Sequence, residues 1–259
     1  VACECLQLDD PAPDMKEWQE MVNTLKHLEK DVTVALVGKY TTLHDAYISV
    51  VESLKHGGLA HKSNVTIKWV PSEEINEENA DEILGDVSGI IVPGGFGDRG
   101  TDGMITSIKY AREHNIPFLG LCLGMQLSIV EFARHVCGFN DAHSIELDPQ
   151  TTHPVIHLMA DQDGVEDIGG TLRLGAYPCV LAKDSLAHKV YGTDQISERH
   201  RHRYEVNNYY REDLEKNGML LSGLSPDGRI VEMCEIPSHP WFIATQAHPE
   251  FKSRPNRPH

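Results

Sequence analysis

Apolar residues in the first half of the chain fall into short runs separated by longer amphipathic stretches. Val32–Val37 (closed by Gly38), Asn64–Val70, Ser88–Val92 and Ile116–Leu121 are bounded runs that predict buried strands. Between them, Ala46–Leu59, Thr101–His114 and Leu123–His135 carry apolar positions at helical spacing and predict helices. The acidic run from Glu73 to Glu82 predicts a solvated helix face, a simpler account than a metal site. Strand and helix thus alternate four times, the signature of a parallel sheet covered on both faces. Upstream, the turn-rich Asp9–Asp14 precedes a stripe of Met15, Trp18, Met21/Val22, Leu25 and Leu28, expected as a lead-in helix packed on its own domain.

After Gly138 the pattern changes. Val155–Met159, Thr171–Leu174, Val180–Leu181, Arg203–Val206, Met219–Leu224, Arg229–Glu235 and Phe242–Gln246 predict strands, with short helices only at Ser185–Val190 and Arg211–Asn217. The expected fold class is α/β: a mostly parallel central sheet flanked by helices on both faces, with antiparallel additions in the C-terminal half. Residues 1–30 are read as lead-in and 31–259 as one α/β domain, without internal repeats.

Composition narrows the function. With 259 residues, 40% of them hydrophobic, the chain can bury a large core. A net charge of −16 argues against a nucleic-acid surface. Six scattered cysteines (Cys3, Cys5, Cys122, Cys137, Cys179, Cys234) are no disulfide framework and fit a reducing, cytoplasmic setting. Cys3 and Cys5 lack the second cysteine pair of a zinc site. No apolar run approaches the about 20 residues of a membrane span. The chain starts at Val1 and stops at His259, as expected of a part excised from a longer polypeptide. There is no Gly-x-x-x-x-Gly-Lys-Ser/Thr phosphate loop, nor a Gly-x-Gly-x-x-Gly opening a helix after a strand.

One stretch carries candidate chemistry. Gly120-Leu121-Cys122-Leu123-Gly124 joins a predicted strand to a predicted helix and has the form of a nucleophile elbow with sulfur for oxygen. One glycine is expected to make the sharp turn and the other to let the helix start close to the strand. The helix N-terminus there would favour a thiolate. A buried, unreactive cysteine is the competing account, because an elbow needs a base and an anion hole. His248 and Glu250, two apart at the chain's end, would project to one side of an extended segment as base and orienting carboxylate, with Pro249 keeping it extended. Alone, they read equally as a surface ion pair. Pro93-Gly94-Gly95-Phe96-Gly97 follows a buried strand, where backbone N–H groups can face a developing anion, and the Leu123 N–H would be a second donor.

These pieces, in this order, resemble the class I glutamine amidotransferase family. Longer segments look like the glutaminase domain of the CTP synthase family: Val37-Gly38-Lys39-Tyr40, Leu119–Leu127, Gly169-Gly170-Thr171-Leu172-Arg173-Leu174-Gly175 and Glu198–Asn207. The resemblance implies Cys122 as nucleophile, His248 as acid/base and Glu250 as its orienter. It implies Gly95 and Leu123 as oxyanion donors, and Gly95, Phe96, Leu123, Gly124, Met125 and Gln126 as substrate contacts. Glu146 would pair with the α-amino group of L-glutamine and Arg203 with its carboxylate, which a guanidinium fork suits. It implies no cofactor or metal in this chain. ATP and magnesium would belong to an absent N-terminal synthase half, together with UTP, and GTP would activate the whole enzyme, a homotetramer. Residues 1–30 resemble the end of that half and its linker. The rival readings are another class I amidotransferase or a γ-glutamyl hydrolase, which the Arg- and His-rich segment disfavours, and a non-catalytic assembly domain.

Overall fold

The structure, a computed structural model, describes residues 2–9, 13–158 and 172–259. Val-, Ile- and Leu-rich runs form the centre of the sheet because such strands are buried on both faces. β1 (Lys30–Gly38), β2 (Ser63–Pro71), β3 (Gly89–Val92) and β4 (Phe118–Leu121) are parallel in the order β2-β1-β3-β4. Alternation within β1 assigns the two faces. Ala35 and Val37 join the core beneath helices α5 (Thr101–His114) and α6 (Leu123–His135). Leu36 joins the cluster beneath α3 (Ile48–Ala60), with Val50 and Leu54.

The last strand, β12 (Phe242–Thr245), inserts beside β4 as a fifth parallel strand, pairing Phe242 with Phe118 and Thr245 with Leu121. The two phenyl rings stack with centroids 4.5 Å apart. Beyond β12 the sheet continues antiparallel through β11 (Val231–Glu235), β10 (Leu220–Leu224), β7 (Arg173–Leu181) and β8 (Gln195–His202). The expected parallel core with antiparallel additions is therefore present. A second sheet, β5 (His143–Ser144), β6 (Pro154–Leu158) and β9 (Tyr204–Val206), was not foreseen. Arg203 stands where the chain leaves the first sheet for the second.

Several boundaries differ from expectation. The pieces predicted near 171–174 and 180–181 belong to one strand, β7; Gly175 and Pro178 disguised its middle. Pro178 is tolerated because β7 pairs with β10 only at Val180 and Leu181. β8 was missed because its period-two pattern buries Glu198, His200 and His202 instead of apolar residues. The acidic run is solvated, yet its helix α4 covers only Ala80–Leu84. The lead-in consists of α1 (Ala2–Cys5) and α2 (Lys16–Leu25). Contrary to expectation, α2 buries no residue, and Trp18 and Leu25 are 41% and 59% exposed. Met159, Ala160 and Gly169–Thr171 lie outside the described residues.

This division predicts contrasting costs. Phe242→Ala should destabilise by about 3–5 kcal/mol in urea denaturation, as a buried aromatic truncation does. Trp18→Ala should change stability by less than about 0.5 kcal/mol.

Candidate active site

Cys122 occupies the single residue between β4 and α6, with φ 51° and ψ −101°, a backbone conformation that is costly for a residue with a Cβ. Its N–H donates to the Thr245 carbonyl of β12 at 2.8 Å, and its carbonyl accepts from the N–H groups of Met125 and Gln126. The turn is thus made by the cysteine itself, not by a glycine as expected. Both glycines serve close approach instead. A Cβ on Gly120 would stand 2.8 Å from the Gly124 carbonyl oxygen, and one on Gly124 would stand 2.1 Å from that of Val92. The sulfur is held at the first turn of a 13-residue helix, whose leading N–H groups lack intrahelical partners and favour an anion.

His248 lies three residues beyond Thr245, and its N–H donates to the Arg199 carbonyl of β8 at 2.8 Å. Its Nδ1 is 2.8 Å from Glu250 Oε1, which makes Nδ1 the protonated donor and leaves Nε2 for Cys122. The pair meets across a 3₁₀ turn, Pro249–Lys252, with Pro249 at its first position, so the extended geometry expected for this segment is replaced. Burial alone would lower the imidazole pKa. Hydrogen bonds and charge from Cys122 and Glu250 outweigh it and push the pKa up to about 10. At neutral pH the imidazole is a cation beside the sulfur.

The loop after β3 packs directly on this pair. A Cβ on Gly94 would lie 2.8 Å from His248 Cε1 and 3.4 Å from the Cys122 Cβ, so only glycine fits. Two cavities meet at Cys122. One, of about 290 Å³, is lined by Tyr40, Tyr47, Phe96, His248 and Phe251 among others. The other, of about 30 Å³, is lined by Gly95, Phe96, Gln126, Glu146, Arg203 and Tyr204. A larger cavity of about 340 Å³ lies under α3 and reaches Glu250 but not Cys122.

In the small cavity, Glu146 accepts a hydrogen bond from the Gly97 N–H and faces Lys39 and Arg203; burial nonetheless pushes its carboxyl pKa up. The Arg203 Nε is buried and has no hydrogen-bond partner among the described residues. That is an unspent donor in a cleft. Gln126 Nε2 donates to Tyr204 O at 3.1 Å and to Gln246 Oε1 at 3.2 Å. The structure therefore brings Cys122, His248, Glu250, Gly95, Phe96, Gln126, Glu146 and Arg203 together, while Leu123 packs its side chain near Gly95. It does not bring the Met125 side chain, which is fully buried in the core, nor Gly124, which abuts Val92.

A sequence model of the Glutamine amidotransferase class-I family matches residues 42–259. The chain belongs to that family. It is 56% identical over 259 residues to the CTP synthase of Clostridium acetobutylicum, covering all of this chain and 48% of that protein. It is 59% identical over 244 residues to the CTP synthase of Staphylococcus saprophyticus, covering 94% and 46%. The chain spans about half the length of the curated relatives it matches. Among solved structures, the glutaminase domain of Trypanosoma brucei CTPS with bound acivicin superposes with a TM-score of 0.81 at 41% identity, covering 88% of this chain and 89% of that one.

In this member of the family, further residues that sequence reasoning did not assign to the site support it from beneath. Gln246, fully buried, places its Nε2 3.7 Å from Cys122 Sγ, and its N–H donates to the Glu232 carbonyl of β11. Glu232 forms a buried two-pronged pair with Arg173, at 2.6 and 3.0 Å. Arg173 Nη1 also lies 3.2 Å from His200 Nδ1 and 3.3 Å from His202 Nε2. His200, His202 and Glu232 have the spacing of a metal-ligand set, but the guanidinium already sits among all three. Burial, reinforced by Arg173, lowers the pKa values of His200 to about 2 and His202 to about 3. The alternation in β8 was the available signal: His200 and His202 point to the core while Arg199 and Arg201 are exposed, Arg201 over the Phe96 ring.

The neutral histidines set an acid limit. Their folded pKa values lie below the unfolded value of about 6.5, so below that pH the unfolded chain binds protons that the folded chain does not. Each should then cost up to about 1.4 kcal/mol of stability per pH unit as pH falls. His248 runs the other way: its contribution is complete below about 6.5 and declines as pH rises toward 10. Urea denaturation at pH 6.5 and 5.5 should show the acid loss, and His200→Asn should reduce its slope.

Proposed function

We propose that this chain hydrolyses L-glutamine to glutamate and ammonia. The observation that carries the reading is the Cys122–His248–Glu250 chain on a strained elbow, opening onto a cavity that also holds Glu146 and Arg203, whose Nε has no partner among the described residues. The Cys122 thiolate attacks the side-chain carboxamide carbon, and the N–H groups of Gly95 and Leu123 hold the oxyanion. The His248 Nε2 proton passes to the departing ammonia as the C–N bond breaks, leaving a glutamyl thioester. Neutral His248 then takes a proton from water, which attacks the thioester and releases glutamate and the thiolate. Glu250 holds the tautomer throughout. Arg203 takes the α-carboxylate and Glu146 the α-ammonium. The small cavity has room for on the order of two waters and shares Gly95, Phe96, Cys122 and Arg201 with the larger one, so glutamine would draw on both.

The likeness to CTP synthases over half their length supports a destination for the ammonia: ATP-dependent amination of UTP to CTP in a synthase half that carries the magnesium and nucleotide sites, within pyrimidine biosynthesis. GTP activation and a homotetramer belong to the same proposal, as does a cytoplasmic location.

Cys122→Ala should abolish glutamine hydrolysis, and in the full-length enzyme it should spare CTP formation from added ammonia. Hydrolysis retained by that variant would remove the nucleophile assignment. Arg203→Gln and Glu146→Gln should each raise the KM for glutamine roughly 10- to 100-fold, the worth of one charged hydrogen bond, with a smaller effect on kcat; an unchanged KM would remove their assignment.

A further inference from the structure

The segment Val37-Gly38-Lys39-Tyr40 stands out in the sequence, yet the chemistry above uses none of it. β1 ends at Gly38, where a Cβ would lie 2.7 Å from the Tyr47 hydroxyl. That hydroxyl oxygen accepts from the N–H groups of Lys39 at 3.0 Å and Tyr40 at 3.3 Å, fixing the turn. The Lys39 carbonyl accepts from Arg99 Nη2 at 2.9 Å. A turn held this firmly aims the Lys39 side chain across the sheet's edge toward the glycine loop, where the residue is only 6% exposed. A buried lysine needs a reason.

Its ammonium donates to the carbonyls of Phe96, at 3.2 Å, and of Gly97. Its stem passes 3.7 Å from where a Cβ on Gly95 would stand. The peptide unit joining Phe96 to Gly97 is thereby gripped at both ends: its C=O by Lys39, its N–H by Glu146. In a trans peptide these two groups point opposite ways, so rotating the unit would lose both bonds. Three of the five residues in Pro93–Gly97 are glycine, and Gly97 adopts φ +76°, so without a clamp this loop has many accessible orientations.

Building on the glutaminase reading, we infer that Lys39 is a positioning residue for the oxyanion hole. It holds the Phe96–Gly97 peptide so that the Gly95 N–H stays aimed at the developing oxyanion, and it touches neither the substrate nor Cys122. Donors fixed in advance are what make an anion hole effective, and losing one costs about 100- to 1000-fold in kcat. Loosening one should cost part of that. The charge on Lys39 is itself adjustable. Burial lowers its pKa to about 8, against Glu146 and Asp98, which raise it, and Arg99, which lowers it further. The hydroxyl of Tyr47, which accepts from this turn's N–H groups beside the Tyr40 ring, has its pKa raised by burial and stays neutral. Above pH 8 the amine keeps N–H donors but loses the charge that strengthens its bonds.

Steady-state glutamine hydrolysis by the intact protein, from pH 6.5 to 9.5, tests this with K39M and K39R. K39M should lower kcat roughly 10- to 100-fold with KM within about threefold, and its residual kcat should lose the alkaline decline near pH 8 that wild type shows. K39R should recover most of kcat and move that decline upward. A K39M kcat within about twofold of wild type would overturn the inference, as would a loss confined to KM. Should K39M melt below the assay temperature, the K39R profile decides alone: an alkaline limb unmoved from wild type would overturn it. An inactive wild type would remove the glutaminase reading and the clamp with it, whereas an active wild type with an unaffected K39M removes the clamp only.

Discussion

One backbone hydrogen bond, from the Cys122 N–H to the Thr245 carbonyl, joins the two parts of the chain that the site needs. It continues the β4–β12 ladder one residue past the strand, into the strained turn. The strain at φ 51° persists only because neighbours over-determine it. Two glycines let α6 settle against β3 and β4, and the helix accepts the cysteine at its N-cap. The same register delivers His248 and Glu250 to the sulfur, since they follow Thr245 by three and five residues. Sheet order therefore determines the chemistry available: without β12 beside β4, the cysteine is a buried thiol and the histidine a surface ion pair.

Around that join the protein spends several buried charges. Arg173 and Glu232 neutralise one another beneath the elbow, while burial, reinforced by the nearby Arg173, keeps His200 and His202 uncharged. Their period-two spacing on β8 leaves the alternate arginines free to face outward, so one strand serves both the core and the rim of the cleft. Beyond the strand's end Arg203 follows, with a donor that no partner among the described residues satisfies. Lys39 and Glu146 divide a single peptide unit between opposite charges on the other rim. Fixed dipoles and charges of this kind are effective because they need no rearrangement when charge develops beside them.

Much of this was legible in advance. Bounded apolar runs and helical spacing define β1 to β4 and α3, α5 and α6, because strands buried on both faces leave no alternative pattern. The elbow residues, the glycine loop and the His-Pro-Glu segment were recognisable as candidates from their order and surroundings. Less legible was β8, whose buried positions are polar and whose stability rests on partners from β7 and β11. Nor could α2 be placed, since an amphipathic stripe states that a face wants cover without saying what covers it.

Sequence by itself determined which residues are capable of chemistry: a cysteine at a strand-to-helix turn, a histidine and a glutamate two apart, and glycines where a backbone must come close. Tertiary structure decided how they act. It put the strain on Cys122 instead of a glycine, because both glycines were needed for clearance. It bent Pro249–Lys252 into a turn so that Glu250 meets the imidazole edge. It filled a metal-like triad with a guanidinium, and it drew Lys39, 57 residues away in sequence, onto the Phe96 carbonyl. Local pattern specifies the elements, because propensity and burial act within a few residues. The distances between charges are set only when strands from both ends of the chain share one sheet.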